Sequence, residues 1–332
     1  MKAILLTRTG DPSVLEYVDM STPQPGPGEV LVKADTIGVS RPELLVRNGT
    51  YAWMPKLPAI PGIEMAGAVA ELGAGAPGYA VGDKVYVSAR ELPQRAGCYA
   101  EYIAVPARAL FRLDASANLE AAACLSNYQV AYHLLHTATR GAPGRSVLID
   151  GAAGGLGSAA VQLAKIAGMT TIAIVGAPAK VPALQAFGAD HVIDASREDV
   201  AERVKAVTDV EGVDLILDAA GGAKFASLLA MLAPFGLAVS YGKLVGPLEA
   251  NLAAALDRGP GYLNSTAVRV FTMHTLDGRP DLRAESMRYL IARLADGAIR
   301  PLIHARLPLK DARRAHEMLE ARQAIGKVLL KP

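Results

Sequence analysis

The stretch LIDGAAGGLGSAAVQLAK, from Leu148 to Lys165, is the part of this chain that indicates its fold most directly. It begins with an apolar run typical of a buried strand and ends with the apolar spacing of a helix. The glycines between them follow the pattern A-x-G-x-x-G, which lets backbone approach a phosphate and lets the helix pack closely on the strand. This order of strand, glycine turn and helix predicts a site for the pyrophosphate of a dinucleotide. The residues of the turn predicted to contact it are Gly151, Ala153, Gly154, Gly155, Leu156 and Gly157.

Strands and helices alternate from Ser146 to about Phe271. The strands are short and continuously apolar, which is typical of a parallel sheet covered by helices on both faces. They are SVLID, TTIAIVG, HVID, VDLILDAA, LAVSYG and VRVFTM. Six is the full strand count of the doubly wound Rossmann fold, so we predict an α/β domain of this type over residues 123–271.

The first third of the chain contains short, mostly alternating strands separated by Pro- and Gly-rich turns, and this spacing predicts a compact, largely antiparallel β domain. From Asp114, the run DASANLEAAACLSNYQVAYHLLHTA carries cap residues and then favours one long helix. The final GKVLLKP predicts a strand with no partner in the parallel region. We therefore expect a discontinuous β-rich domain, residues 1–122 and 272–332, around the inserted one.

Composition excludes several classes of protein. A net charge of +2 over 332 residues gives no basic face for nucleic acid or a membrane surface. No apolar run reaches the ~20 residues of a membrane span, and charge appears too early for a secretory signal. Two cysteines, Cys98 and Cys124, do not make a disulfide framework. We expect a soluble, cytoplasmic protein without nucleic-acid or membrane partners.

The choice of dinucleotide is expected at the end of the second Rossmann strand, where an NAD site places Asp or Glu against the ribose hydroxyls. This chain has Gly176 there and Lys180 four residues later. A carboxylate repels a 2′-phosphate and an ammonium attracts one, so we predict NADPH as cofactor, with a solvated Lys180 as the alternative. Tyr241 and Arg322 are further predicted cofactor contacts, and Lys327 is another candidate base.

With these residues placed, the chain resembles the zinc-independent NADPH:quinone oxidoreductase branch of the medium-chain dehydrogenase/reductase superfamily. The segments that carry the resemblance together are GPGEVLVK, RNGTY, PGIEMAG, VGDKV, GAAGGLG, FGADHVID and EARQAIGKVLL. The resemblance implies a GroES-like fold for the β-rich catalytic domain and a nicotinamide bound in the cleft between the domains. It also implies a homodimer, commonly formed by edge-strand pairing of the cofactor domains.

The residues predict no metal site. Zinc-dependent relatives place a cysteine where this chain has Ser40 and a histidine where it has Ile63, and their structural zinc lobe is matched here by Cys98 alone. Zinc needs three or four ligands, and neither a hydroxyl nor an alkyl group replaces thiolate or imidazole. His133 and His136 are spaced to share a face of a predicted helix, but without a cysteine or acid at ligand spacing we expect them to have a structural or surface role.

Without a Lewis acid, oxidation of a simple alcohol is poorly supported. A quinone, enone or enoyl thioester already delocalises the arriving charge onto its oxygen, so the protein supplies orientation and a donor near that oxygen. The resemblance implies that Tyr51 is this donor, unless it lines the cleft together with Trp53. It also places Ser40 where quinone reductases carry an asparagine beside the nicotinamide. The expected partner is a small, electron-poor acceptor.

Two alternatives are left open. An enoyl-CoA or enoyl-ACP reductase would need a basic groove, for which Arg41, Arg47 and Lys56 are candidates. A catalytically weak, NADPH-binding structural or regulatory dimer is suggested by two departures from the family, Ser40 for asparagine and Val130 for threonine. The residues available to compensate are Asn127, Tyr128 and Gln129.

Overall fold

The structure is a computed structural model that describes residues 1–249, 251–258 and 260–332. Its strands are β1 (Lys2–Leu6), β2 (Leu15–Asp19), β3 (Glu29–Val39), β4 (Glu64–Leu72), β5 (Lys84–Ser88), β6 (Tyr102–Pro106), β7 (Leu110–Arg112), β8 (Ser146–Asp150), β9 (Thr170–Val175), β10 (His191–Asp194), β11 (Val213–Asp218), β12 (Leu232–Ser240), β13 (Ala267–Val270), β14 (Ile303–Pro308) and β15 (Lys327–Lys331). Its helices are α1 (Arg41–Asn48), α2 (Leu119–Ala122), α3 (Leu125–Leu135), α4 (Gly155–Ile166), α5 (Val181–Ala186), α6 (Val200–Val207), α7 (Lys224–Leu228), α8 (Asn251–Arg258), α9 (Pro260–Leu263), α10 (Pro280–Ala295) and α11 (Ala312–Glu320). Among these described elements, no helix combines the length and the apolar composition that crossing a membrane requires.

The chain divides by compactness into two units. Unit 1 comprises residues 1–127 and 287–332, and unit 2 comprises residues 128–286. The sequence analysis places the corresponding limits after residues 122 and 271.

Unit 2 contains a six-stranded, all-parallel sheet in the order β10-β9-β8-β11-β12-β13. Counted from β8, this is the order 3-2-1-4-5-6 of the doubly wound dinucleotide-binding fold. The strands overlap the predicted apolar runs, although β12 begins at Leu232, five residues before the predicted run LAVSYG. The side chains of β8 and β9 are mostly buried, as in a sheet covered on both faces. The predicted fold class is confirmed.

Unit 1 is built on a seven-stranded sheet in the order β14-β15-β3-β4-β5-β7, with β6 also on β3, and on a two-stranded sheet of β1 and β2. The pairings among the N-terminal strands are antiparallel, as their alternating pattern predicts. β15 pairs antiparallel with β3, placing Val328 opposite Val39 and Leu330 opposite Ile37 in the core. The C-terminal strand therefore completes the N-terminal sheet, as its lack of a parallel partner suggested.

One predicted helix is two helices in the structure. α2 is capped by Asn118, whose Oδ1 accepts from the N–H groups of Glu120 and Ala121 at 2.9 and 3.2 Å, and α3 starts anew at Leu125. Between them the Ala123 carbonyl lies so close to Gly38 of β3 that a Cβ at position 38 would collide with it. Glycine at this position thus brings the start of α3 up to the end of β3.

His316 of α11 is fully buried in unit 1, with Nε2 3.2 Å from the Tyr99 hydroxyl. Burial, and then the charge of Arg47, lowers the pKa of His316 from 6.5 to about 3. The unfolded chain takes up this proton near pH 6.5 and the folded chain only near pH 3, so stability falls as the pH drops through that window. Between pH 7 and pH 5 we expect the free energy of unfolding to fall by about 2 kcal/mol less in His316→Gln protein than in the wild type, as measured by urea denaturation. Identical pH dependence in both proteins would contradict this.

Candidate active site

The predicted phosphate turn lies between β8 and α4, at the carboxyl edge of the unit 2 sheet and beside the reversal of strand order. Gly151 has a φ of 72°, in the left-handed region that favours glycine. Gly154 is the N-cap of the 12-residue helix α4, and Gly155, Leu156 and Gly157 form its first turn. The N–H groups of a first helical turn have no acceptor within the helix, and the dipole makes this end positive. The turn therefore offers donors to a phosphate.

Close packing fixes the shape of this turn. A Cβ on Gly157 would collide with the Gly151 carbonyl and would lie 2.6 Å from the Ala152 Cα. Glycine at position 157 therefore allows α4 to pack directly on the turn, as the glycine pattern predicts. Ala153 is buried in the same turn, and its contact with a cofactor stays a prediction.

Gly176 follows β9 directly and is exposed. A Cβ built on Gly176 meets no described atom within 4 Å, and its φ lies outside the left-handed region. An acidic side chain would fit there, so the absence of a carboxylate is not a steric requirement. Lys180 is half-buried at the end of the 3₁₀ turn Pro178–Lys180 that follows. The end of β9 thus carries a nearby lysine and no carboxylate at position 176.

Two carboxylates that the sequence analysis did not single out end neighbouring strands at the same edge. Asp150 ends β8 and Asp218 ends β11, and both are buried. Asp218 accepts from the N–H groups of Ala220 and Gly221 at 3.1 and 3.0 Å, yet burial raises the pKa of its carboxyl and Asp150 adds to this. Burial and these two acids also raise the pKa of Tyr241, so its phenol keeps its proton, as an unperturbed tyrosine does at neutral pH. An acid closing an apolar strand is the sequence signal that would have found them.

In unit 1, Ser40 directly follows β3 and is the N-cap of α1. Its N–H donates to Oε2 of the buried Glu43 at 3.2 Å. Its hydroxyl accepts a hydrogen bond from Lys327 Nζ and donates to Asn127 Oδ1 at 3.3 Å. The predicted contact of Ser40 with the nicotinamide side of a cofactor stays a prediction.

Of the three residues available to compensate for the family's threonine, Asn127 is the one that contacts Ser40. The Tyr128 hydroxyl donates to a glutamine of α4 at 2.8 Å, and Gln129 Nε2 donates to Ser286 Oγ at 3.1 Å. These two side chains therefore take part in packing within unit 2.

Lys327 and Glu64 form a buried ion pair. Lys327 begins β15 and is 2% exposed, Glu64 begins β4 and is 0% exposed, and Nζ lies 2.6 Å from Glu64 Oε1. Glu64 also accepts from the N–H of Ser126 at 2.8 Å, from the Ser126 hydroxyl and from the Tyr86 hydroxyl at 3.2 Å. Such additional donors are the condition under which a buried ion pair is tolerated. The suggestion that Lys327 is a base for a phosphate is therefore wrong, because Glu64 and Ser40 hold it in the core.

The residues at the position of the relatives' zinc ligands do not fit a metal ion. The Ser40 hydroxyl already accepts a hydrogen bond from an ammonium group. Ile63, which precedes Glu64 in the sequence, offers only an alkyl group. Throughout the described ranges, no group of three His, Cys, Asp or Glu side chains lies close enough together to hold a metal.

Tyr51 follows α1, and its backbone N–H donates to the Leu45 carbonyl at 3.1 Å. Its ring packs against the unit 1 core and lies 5.9 Å from the ring of Trp53, at an interplanar angle of 59°. Trp53 is 41% exposed, with the Arg95 guanidinium 5.8 Å from its ring centre. Both the donor role of Tyr51 and the alternative, that it lines the cleft with Trp53, stay predictions.

The basic groove suggested for a thioester carrier loses one member. Arg47 is buried, donates from Nε to the Gly10 carbonyl at 3.1 Å and pairs with Glu320, so its expected place in a groove is wrong. Arg41 lies beside a positive charge, unlike Arg47. Burial and then the charge of Arg322 lower the pKa of the Arg41 guanidinium. Arg41 and Arg322 are thus neighbours in unit 1.

Comparison with known proteins finds two matching families, two similar proteins and a similar solved structure. Residues 26–115 match the family described as alcohol dehydrogenase GroES-like domain, and residues 187–330 match the one described as zinc-binding dehydrogenase. A quinone oxidoreductase of Pseudomonas aeruginosa is 32% identical, with 100% of this chain and 99% of that protein covered. The rat synaptic vesicle membrane protein VAT-1 homolog is 32% identical, with 100% and 84% covered. Escherichia coli quinone oxidoreductase, solved in complex with NADPH, is similar with a TM-score of 0.87 at 30% identity over 100% of both chains.

Proposed function

Because this chain belongs to the quinone oxidoreductase-like branch of the medium-chain dehydrogenase/reductase superfamily, we propose that it transfers hydride from NADPH to a quinone or another conjugated carbonyl compound. The chain is an NADPH-dependent oxidoreductase. What we propose is the class of acceptor and the transfer of hydride to it. The observation that carries it is the carboxyl edge of the unit 2 sheet. There the N-terminus of α4 offers donors to a pyrophosphate, and the end of β9 combines an open Gly176 with Lys180.

NADPH, when bound, supplies a hydride from its nicotinamide ring. We propose that the first turn of α4 holds the pyrophosphate and that Lys180 holds the 2′-phosphate. Tyr241 adds a neutral donor at the same edge. Arg322, with Arg41 as its neighbour, adds positive charge for the phosphates.

A conjugated carbonyl accepts hydride at carbon and carries the arriving negative charge on oxygen. Donors placed where that charge develops lower the barrier more than donors that bind only the ground state. We propose that the hydroxyls of Tyr51 and Ser40 are these donors and that Trp53 lines the acceptor's binding surface.

The test is consumption of NADPH and of NADH with a panel of quinones, enones and enoyl-CoA compounds. We expect NADPH oxidation with quinones or enones, with a preference over NADH of at least about tenfold in kcat/KM. Faster turnover of enoyl-CoA than of every quinone and enone would favour the thioester reductase. Tight NADPH binding without turnover of any compound would favour a structural or regulatory role and would contradict the proposal.

Tyr51→Phe keeps the ring that packs beside Trp53 and removes only the hydroxyl. We expect kcat with the best acceptor to fall about tenfold or more, with unchanged NADPH affinity, because a positioned proton donor is lost. Steady-state kinetics and a fluorescence titration of NADPH measure the two quantities. Tyr17→Phe, at a 44% exposed position of β2, is the matched control. If Tyr51→Phe turns over as fast as the wild type, Tyr51 has no part in the mechanism.

The homodimer stays a prediction, and we place its contact on β13. Within the described part of the chain, β13 is an edge strand of the six-stranded sheet. Its last residue, Val270, is 68% exposed, and an exposed apolar edge is a template for pairing with another strand.

A further inference from the structure

The Lys327 ammonium has no role in the function proposed so far. The residues that follow it in β15, Val328, Leu329 and Leu330, are buried and apolar. A buried ammonium loses its hydration, and replacing a whole buried ion pair by apolar residues is often neutral or stabilising, so packing of the sheet does not require the pair of Lys327 and Glu64. The contacts of Lys327 therefore indicate a purpose other than packing.

Lys327 Nζ donates to two oxygens, Ser40 Oγ and Glu64 Oε1. Since Ser40 Oγ accepts from Lys327, its own proton is free to point elsewhere, and it points toward Asn127 Oδ1 at 3.3 Å. Hydrogen bonds between two oxygens are usually about 2.5–3.0 Å long, so this proton is loosely held. A hydroxyl that accepts from a cation is also a stronger donor. Ser40 is thus arranged to donate to a better acceptor than Asn127.

The two carboxyl groups nearby, those of Glu64 and Glu43, do not cancel the effect of the Lys327 charge on the Ser40 hydroxyl. Glu64 is held on its other side by Ser126 and Tyr86, and it contacts Lys327 without contacting the Ser40 hydroxyl. Burial raises the pKa of Glu43 to about 8, so this second carboxyl is mostly protonated at neutral pH. The positive charge nearest the Ser40 hydroxyl is therefore that of Lys327.

We propose that Lys327 is a positioning residue for reduction, whose ammonium polarises the Ser40 hydroxyl so that it donates to an acceptor oxygen as hydride arrives. The substrate class that this favours is a compound that builds an oxyanion during reduction, such as a quinone or an enone. The inference rests on the proposed function, in which Ser40 contacts the acceptor. Where zinc-dependent relatives place a cysteine, this chain thus holds a hydroxyl against a fixed positive charge.

A double-mutant cycle tests the link between Lys327 and Ser40. Lys327→Met combined with Glu64→Gln leaves no lone buried charge, and the pair is made in wild-type and in Ser40→Ala protein. With Ser40 present we expect kcat to fall about tenfold at unchanged NADPH affinity; with Ser40→Ala the same pair should change kcat less than about twofold. Lys327→Arg, which keeps the charge, should retain most of the activity. Equal losses in both backgrounds would show a structural role and overturn the inference.

A second readout needs no turnover. 4-Nitrophenol changes its visible absorbance on ionisation, and its titration in the NADP⁺ complex reports how the site treats an oxyanion. We expect the bound phenol to ionise about one pH unit lower in wild-type protein than in the Lys327→Met/Glu64→Gln protein, a tenfold difference in its ionisation constant. Equal midpoints, or no binding, would overturn the inference. A lowered midpoint in a protein that reduces no acceptor would instead contradict the proposed function alone.

Discussion

Gly176→Asp combined with Lys180→Ala is expected to reverse the choice of dinucleotide, lowering the ratio of kcat/KM for NADPH to that for NADH about 1,000-fold. The new carboxylate would meet the 2′-phosphate at the end of β9, and like charges brought together in a binding site cost several kcal/mol. The same carboxylate accepts from the ribose hydroxyls of NADH. Each 1.4 kcal/mol is a factor of ten, so about 4 kcal/mol corresponds to this change. Because a Cβ at position 176 meets no described atom within 4 Å, the aspartate is expected to enter without disturbing the fold.

Thr170→Asp is the matched control for this reversal. Thr170 is exposed at the first position of β9, so the substitution places the same charge at the opposite end of the same strand. We expect its ratio of kcat/KM values to equal that of the wild type. If Gly176→Asp/Lys180→Ala protein keeps its preference for NADPH, the 2′-phosphate is not bound at the end of β9.

Lys327→Met alone is expected to lower the free energy of unfolding by about 3–5 kcal/mol, because it leaves the fully buried Glu64 carboxylate without its cation. The double variant Lys327→Met/Glu64→Gln should recover most of this loss, since the one oxygen of a neutral amide can still accept from the Ser126 N–H and the Tyr86 hydroxyl. Urea denaturation of the three proteins at pH 7 measures both quantities.

The matched control for the buried pair is an exposed one. Lys205 and Glu202 form a 2.9 Å ion pair on α6 with most of both side chains in water. Lys205→Met should leave stability nearly unchanged, because solvent screens such pairs. Should Lys327→Met behave like Lys205→Met, the charge at position 327 does not stabilise the core.

The fold of unit 2 could be predicted from the sequence because the patterns that indicate it are local. Each Rossmann strand is a continuous apolar run, and the turn between β8 and α4 contains its own glycines. The contacts of Lys327 with Glu64 and Ser40 in unit 1 could not be predicted, because Lys327 lies 263 and 287 residues away from them in the sequence. Lys331, at the other end of the same strand, has a sequence context similar to that of Lys327, but its side chain is 36% exposed and pairs with Asp35. The register of β15 on β3, which no local pattern encodes, separates the two lysines.

Long-range contacts explain the other differences as well. The break between α2 and α3 lies against Gly38, a residue far earlier in the chain. Arg47 has the sequence context of a surface base, yet Glu320 and the Gly10 carbonyl hold it in the core. In both cases the deciding neighbour belongs to an element that the local sequence does not reveal.

The distance along the chain between Glu64 and Lys327 also has a consequence for synthesis. At about 5–20 residues per second, the ribosome needs roughly 13–50 s to make the 263 residues that separate the carboxylate from its cation. During this interval the Glu64 carboxylate has no cation to pair with, so its burial is unfavourable, and we expect the first 127 residues to close fully only after Lys327 has been made. Residues 128–286 are continuous and complete before Lys327 emerges, which favours folding of the inserted unit first and of the split unit around it last.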